Sequence, residues 1–544
     1  MKKIFLCYNN FVRKNFITQI FQTKYNKGGI IVRMEKPLVR FDRNLLIIGC
    51  GSVAQCAIPL VLRLIDMPPS KITVMDFVDN RSRIKDSLDK GIKYVIKRIT
   101  PDNYKKLLAS YVGKGDMIID LAWNIETADI IQWCHDNEVL YINTSVEEWD
   151  PYKDSERKDP TKYTLYARHM KLRDVISRWK PDSPTIIVDH GANPGLVSHF
   201  TKVALIEIAE KILREKPEEP RCVKLAIALE EKNFAKLAQL EGVKTIHISE
   251  RDTQITNKPK QVNEFVNTWS IEGFFEEGVA PAELGWGTHE RYIPRDAYFH
   301  KTGPRNQICL GTIGMKTWVR SWVPSGEITG MVIRHGEAFS ISDRLTVWEN
   351  GKVIYRPTVH YAYCPCDSAI NSLHELEMRQ FKLQEKQRIL SDEIIDGRDE
   401  LGVLLMGHDF KSWWCGSLLD IHEARRLVPH QQATTLQVAI SVVAASIWAI
   451  KNPRKGFLLP DDVDHEEILK ICIPYIKPFV SMSVDWTPLK NLNTKFTKFD
   501  IPRPSQKDVW QFTTFLVDHR ERLDAYDISK TKSKPKPTTV KIQV

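Results

Sequence analysis

The sequence lacks a cysteine framework. Its ten Cys are scattered through 544 residues, and the one close pair, Cys364 and Cys366, is C-x-C rather than C-x-x-C. That spacing excludes a zinc site and a secreted disulfide scaffold, so reduced intracellular thiols and a cytoplasmic protein are expected. No apolar run reads as a membrane span. The longest, LQVAISVVAASIWAI at 436–450, is short and interrupted and reads as a buried helix. Acids are missing from both ends. Residues 1–33 carry seven Lys/Arg and no acid, and residues 530–544 carry five Lys and no acid. Taking those twelve from the formal charge of +10 leaves −2 for residues 34–529. The body therefore lacks the electrostatic footprint of a nucleic-acid binder. The basic stretch 1–36 also lacks the apolar core of a secretory signal. It reads as an extension ahead of a start at Met34, with a transit peptide as the alternative. Residues 529–544 read as a basic tail.

What is present is an ordinary globular composition, 42% hydrophobic and 27% charged. The first half alternates short apolar strands with helices. Leu45–Ile48 is a buried strand, followed by Gly49-Cys50-Gly51-Ser52-Val53-Ala54 and a helical period to Ile65. A second strand, KITVMD, ends in Asp76. Strand, G-x-G-x-x-A, helix, strand and acid together form a dinucleotide-binding fingerprint. Gly49 permits the turn, Gly51 lets the backbone approach a pyrophosphate, and Ser52 and Val53 present N–H groups at the helix start. A carboxylate at Asp76 accepts bonds from a ribose 2′-OH and repels a 2′-phosphate, which favours NAD over NADP. Thr100 and Pro101 read as the start of a further helix. Strands follow at 117–123, 139–143 and 185–189. The expected fold is α/β, with a Rossmann-type doubly wound parallel sheet over residues 37–190. Ligands in such sheets bind beyond the carboxyl ends of the strands, which brings Asn124, Glu147, Glu148 and Asn193 toward the nicotinamide end, with Thr144 beside the cofactor.

The segments DLAWNIETADIIQWCHDNEVLYINTSVEEW, DHGANPGLVSHF, VNTWSIEGFFEEGVAPAELGWGTHE and YAYCPCDSAINSLHEL are long and rich in rare residues. Through them the chain, from about residue 40 to 525, resembles the bacterial homospermidine synthases of the saccharopine dehydrogenase-like superfamily. The resemblance implies an NAD-dependent homodimer that converts two putrescines into homospermidine and ammonia, with spermidine as a possible replacement for one putrescine. It implies an α+β substrate and dimerisation domain over 191–410. A helical segment, 411–528, would return to the nucleotide domain.

A diamine site needs anions at its ends and an aromatic wall between them. The resemblance places Trp269 against the substrate cation, with Glu277 in the same pocket. It also implies Glu147 and Glu250 as pocket acids, and Asn193 and His335 as pocket polar groups. Glu250 or Glu277 is the expected base. Asn124 departs from the resemblance, because Asp stands there in a close relative. A helical wheel alone would pick Glu272 and Glu276 beside Trp269, but Gly273 argues against an unbroken helix there. Each residue also has a plainer reading. Asn193 precedes Pro194 and could be an N-cap, Trp269 could be a core ring, and Glu147 a surface acid. Glu250 could join a surface ion-pair network with Arg251, and His335 could be structural. Two rival functions stand beside this one. An amino-acid dehydrogenase of the same superfamily would need convergent cations, for which Arg251 and Arg334 are candidates. A non-catalytic NAD-binding protein is the other. No metal site is expected.

Overall fold

The computed structural model describes residues 36–151, 159–490, 509–518 and 525–528. The expectations for the basic N-terminal extension and the basic tail fall outside these residues.

The first sheet forms from the apolar runs noted above. Its strands are β1 (Leu45–Ile48), β2 (Ile72–Asp76), β3 (Lys93–Ile96), β4 (Met117–Asp120), β5 (Leu140–Asn143) and β6 (Ile186–Ile187). They pair in parallel in the order β3-β2-β1-β4-β5-β6, the doubly wound dinucleotide-binding order. Every residue of β1, β4, β5 and β6 is buried, as a parallel sheet covered on both faces requires. The order reverses between β1 and β4, so a crevice opens at their carboxyl ends. Helix α1 (Ser52–Leu64) leaves that crevice directly after the glycine turn. The helix expected to start at Thr100 begins instead at Tyr104. The Thr100 N–H is taken by the Asn103 side chain at 2.9 Å, which holds residues 101–103 in a turn.

Helix α2 (Leu196–Glu215) carries the chain from the first sheet toward the second. Among the described residues, the second sheet has ten strands. Its centre is β7 (Thr245–Asp252), β8 (Pro281–Gly285), β9 (Thr358–Cys364), β10 (Arg398–Met406), β11 (Ser412–Asp420) and β12 (Phe479–Val484). The order is β8-β9-β7-β10-β11-β12, with only β9 and β7 parallel among these. Helix α3 (Ile271–Val279) lies between β7 and β8 in sequence.

Among its described residues, the segment 411–528 is less helical than expected. It supplies β11 and β12 to the second sheet. It also adds Phe457–Leu458 to the first sheet, parallel to β6. β12 and Phe457–Leu458 are half-buried or short, so their apolar period is weak. Helix α4 (Ala433–Lys451) packs against α1. Among the described residues, α4 is the one helix long and apolar enough to cross a membrane, with a mean hydropathy of 1.8. Since 89% of that stretch is buried inside the protein, α4 is a core helix.

Candidate active site

A cavity of about 630 Å³ runs from the glycine turn to α3. It gathers the residues named for the cofactor and those that the resemblance names for the diamine, but not Glu148 or Glu276. Gly49, Gly51, Ser52, Val53, Asp76, Asn124 and Thr144 line one end, and Glu147, Asn193, Glu250, Trp269, Glu277 and His335 the other.

The first end fits a dinucleotide. Gly49 has φ +88°, and a Cβ there would stand 2.8 Å from the Leu121 carbonyl, so only glycine makes this turn. Gly51 is different. A Cβ there would meet no protein atom within 4 Å, so the residue leaves room for a ligand rather than for protein. Gly51 is also the N-cap of α1, with no side-chain cap. The first N–H groups of α1 thus face the cavity without a cap, which suits a pyrophosphate. Asp76 accepts the Cys50 N–H at 2.6 Å and the Val78 N–H at 2.9 Å, so it fixes the turn as well as lining the cavity. The Arg98 guanidinium lies over the Phe77 ring at 4.5 Å. A Gly51→Val variant should fold with an unchanged melting temperature and lose dinucleotide affinity by at least about 100-fold, read by fluorescence titration.

The second end is acidic and aromatic. Ser270 caps α3 through the Gly273 N–H at 3.0 Å, and the helix continues unbroken to Val279. Gly273 does not break it. A Cβ there would press within 3.1 Å of the Trp269 ring, so glycine lets the indole pack close. Trp269 is half-buried, and its Nε1 donates to the Tyr363 hydroxyl at 3.1 Å. Phe274 braces it with ring centres 5.6 Å apart.

Glu250 is buried, not part of a surface network. Asn193 Nδ2 donates to it at 2.7 Å, and the Tyr361 hydroxyl donates to the same oxygen. Burial pushes its carboxyl up to about 7 against these two bonds. Asn193 is therefore not an N-cap; that position belongs to Gly195. Asp252 and Asp399 deepen the acidic cluster, with Asp252 pushed by burial to about 6. Glu147 accepts the Ser145 hydroxyl at 2.7 Å, while its other oxygen is buried without a partner. Burial, with Glu276 nearby, raises it to about 7. Asn124 sits at φ 59°, a left-handed conformation open to Asn and Asp alike, and its Oδ1 is also buried without a partner.

His335 stands between Glu277 and Glu337, 3.2 Å from each. Burial opposes a charged ring, but the two carboxylates hold its pKa well above the usual imidazole range. Glu276, favoured by a helical wheel, does not line the cavity. It turns to Arg168 and Arg334, and both donate to its Oε1. Burial works against its charge, yet the two guanidiniums bring it down to about 2.

Sequence reasoning missed Tyr361, Tyr363, Trp123 and Arg168. The two tyrosines were accessible: alternate residues of β9 share a face, and Y-x-Y within HYAYC puts both rings there. Their rings stack 5.1 Å apart beneath Glu250 and Trp269.

Two family models match, the saccharopine dehydrogenase NADP binding domain over residues 45–187 and the saccharopine dehydrogenase C-terminal domain over 191–484. A homospermidine synthase of Mesorhizobium japonicum is 40% identical over 484 residues, covering 87% of this chain and 96% of the relative. The chain belongs to the homospermidine synthase family. A second member, from Blastochloris viridis, is also 40% identical, over 88% of this chain and 98% of its own. A crystal structure of the Legionella pneumophila homospermidine synthase in complex with NAD matches with a TM-score of 0.77 and 36% identity. It covers 88% of this chain and 98% of that one. The α/β fold with a Rossmann-type domain accords with these relatives.

Proposed function

We propose that the protein condenses two putrescines into homospermidine and ammonia, with NAD as a retained redox cofactor. The observation that carries this reading is the cavity's acid-and-indole wall. Glu147, Glu250, Glu272 and Glu277 all face it beside Trp269. Glu147 Oε2 and Asn124 Oδ1 are buried acceptors that lack donors, and ammonium groups supply donors. Gly49, Gly51, Ser52, Val53, Asp76, Asn124 and Thr144 would hold the cofactor. Its nicotinamide supplies a hydride acceptor and, later in the cycle, a donor.

The chain's own groups do the rest. Hydride leaves only a neutral amine, so a base must first take an ammonium proton. Glu250 is that base. Its pKa of about 7 suits proton exchange near neutrality, whereas Glu277 is held against His335. Asn193 and Tyr361 aim the carboxylate. The Trp269 face stabilises the cationic C=N carbon centre that hydride loss leaves on the substrate. Glu147 and Glu277 fix the distant ammonium groups. The amine of the second putrescine then adds to that carbon, the first nitrogen leaves it as ammonia, and the hydride returns to the new C=N carbon to give homospermidine. Spermidine carries the same aminobutyl group and is the proposed alternative donor. A cytoplasmic homodimer is the proposed assembly, to be read from light scattering.

Purified protein with putrescine and substoichiometric NAD should form homospermidine in excess over NAD, without net NADH, as read by mass spectrometry of the amines. Accumulating NADH and an aldehyde would reduce it to an amine dehydrogenase. The acid-base groups also fix a pH dependence. A carboxyl raised to about 7 is ionised only above that pH, so kcat/KM should rise through an inflection near pH 7. A profile without an inflection between pH 6 and 8 would remove Glu250 and Glu147 from the proton chemistry.

A further inference from the structure

Two arginines stand directly behind the wall of a cavity proposed for cations. Arg168 and Arg334 are 7% and 4% exposed. Arg334 immediately precedes the cavity residue His335. Trp123, which lines the cavity, donates its Nε1 to Glu276 Oε2 at 3.2 Å. Glu276 thus lies behind Trp123, with both guanidiniums on its other oxygen. The arginines are otherwise tied to main-chain carbonyls, Arg168 to Val146 at 2.8 Å and Arg334 to Tyr163 at 2.7 Å. Arg168 also approaches Glu148 at 3.4 Å. Both arginines act on the Glu147 carboxyl, so their field reaches the cavity. The Arg334 Nε is buried without a partner.

A pair of converging guanidiniums is the usual means of binding a substrate carboxylate. Here the carboxylate is supplied by the protein. We propose that Glu276 is a specificity-determining residue: it occupies the Arg168–Arg334 fork and so keeps the cavity selective for amines without a carboxylate. The inference rests on the diamine reading above. Without Glu276, the fork faces Trp123 and Glu147, repels an ammonium, and takes a carboxylate of the size of an amino acid. The same arrangement answers the case for an amino-acid dehydrogenase, because the Arg334 guanidinium already donates to Glu276. Arg251, one residue along β7 from Glu250, points to the opposite face of the sheet and acts on Cys364.

The test compares n-butylamine with 4-aminobutanoate, which adds a carboxylate at a similar length, as competitive inhibitors against putrescine. In the native protein 4-aminobutanoate should inhibit at least about 100-fold more weakly than butylamine. In Glu276→Gln the gap should close by roughly tenfold or more, while the KM for putrescine rises by a similar factor. NAD affinity within about twofold of native shows that the variant is folded. Equal inhibition by the two compounds in the native protein would overturn the proposal, whatever the variant does. So would a folded Glu276→Gln with an unmoved ratio. Absence of homospermidine synthesis by the native protein would instead sink the diamine reading. The two inhibitors can then still be ranked by displacement of a bound diamine.

Discussion

Glu250→Gln lowers kcat by roughly 10²–10⁴-fold, the range of a lost general base. The substitution keeps the shape of the side chain and leaves an oxygen for Asn193 and Tyr361 to bond. NAD affinity should not move. The effect should fall on hydride removal, because the amine then enters the cofactor end still protonated. The pH profile is the sharper reading. With Gln at 250 the inflection near pH 7 should weaken or vanish, leaving a monotonic rise from the substrate amine. Asn193→Ala should retain the inflection but shift it upward, since one bond to the charged form is gone. A Glu250→Gln rate within about threefold of native would move the base elsewhere.

Trp269→Ala lowers turnover by roughly 30-fold, corresponding to about 2 kcal/mol of lost cation–π stabilisation in a desolvated site. The Nε1 bond to Tyr363 and the Phe274 ring fix the indole, so native Trp269 reacts without reorganising. Trp269→Phe should recover part of the loss, because a benzene face still attracts a cation. A merely structural indole would show another pattern: a lower melting temperature in both variants, with turnover per folded molecule unchanged. NAD binding separates the cases, since the glycine turn lies at the far end of the cavity.

Local pattern was enough to read the nucleotide domain. Leu45–Ile48 and Met117–Asp120 are buried on both faces and appear as continuous apolar runs, and the glycines and Asp76 sit at fixed offsets from them. Glu147, Glu250 and Glu277 were nominated through family resemblance, while the needs of a diamine pointed only to Trp269 with a nearby acid. The wheel over α3 went astray for a physical reason. Glu272 does face the cavity, but the direction of Glu276 is set by Arg168 and Arg334, which lie 108 and 58 residues away. No local period encodes such a pair. Gly273 misled in the opposite sense: its propensity cost is outweighed by the close approach of Trp269 and by the Ser270 cap. The C-terminal strands were hidden because β12 and Phe457–Leu458 are edge strands, half-buried and recruited by neighbours already in place.

The proposed reaction stores a hydride and returns it within one cycle. Putrescine deuterated at both amine-bearing carbons, incubated with the protein and NAD in an excess of unlabelled NADH, tests this directly. Homospermidine should keep every deuterium, because the hydride removed from a carbon returns to it before the cofactor exchanges. Homospermidine one deuterium short would show that the reductant comes from the pool, and would contradict the retained redox cycle.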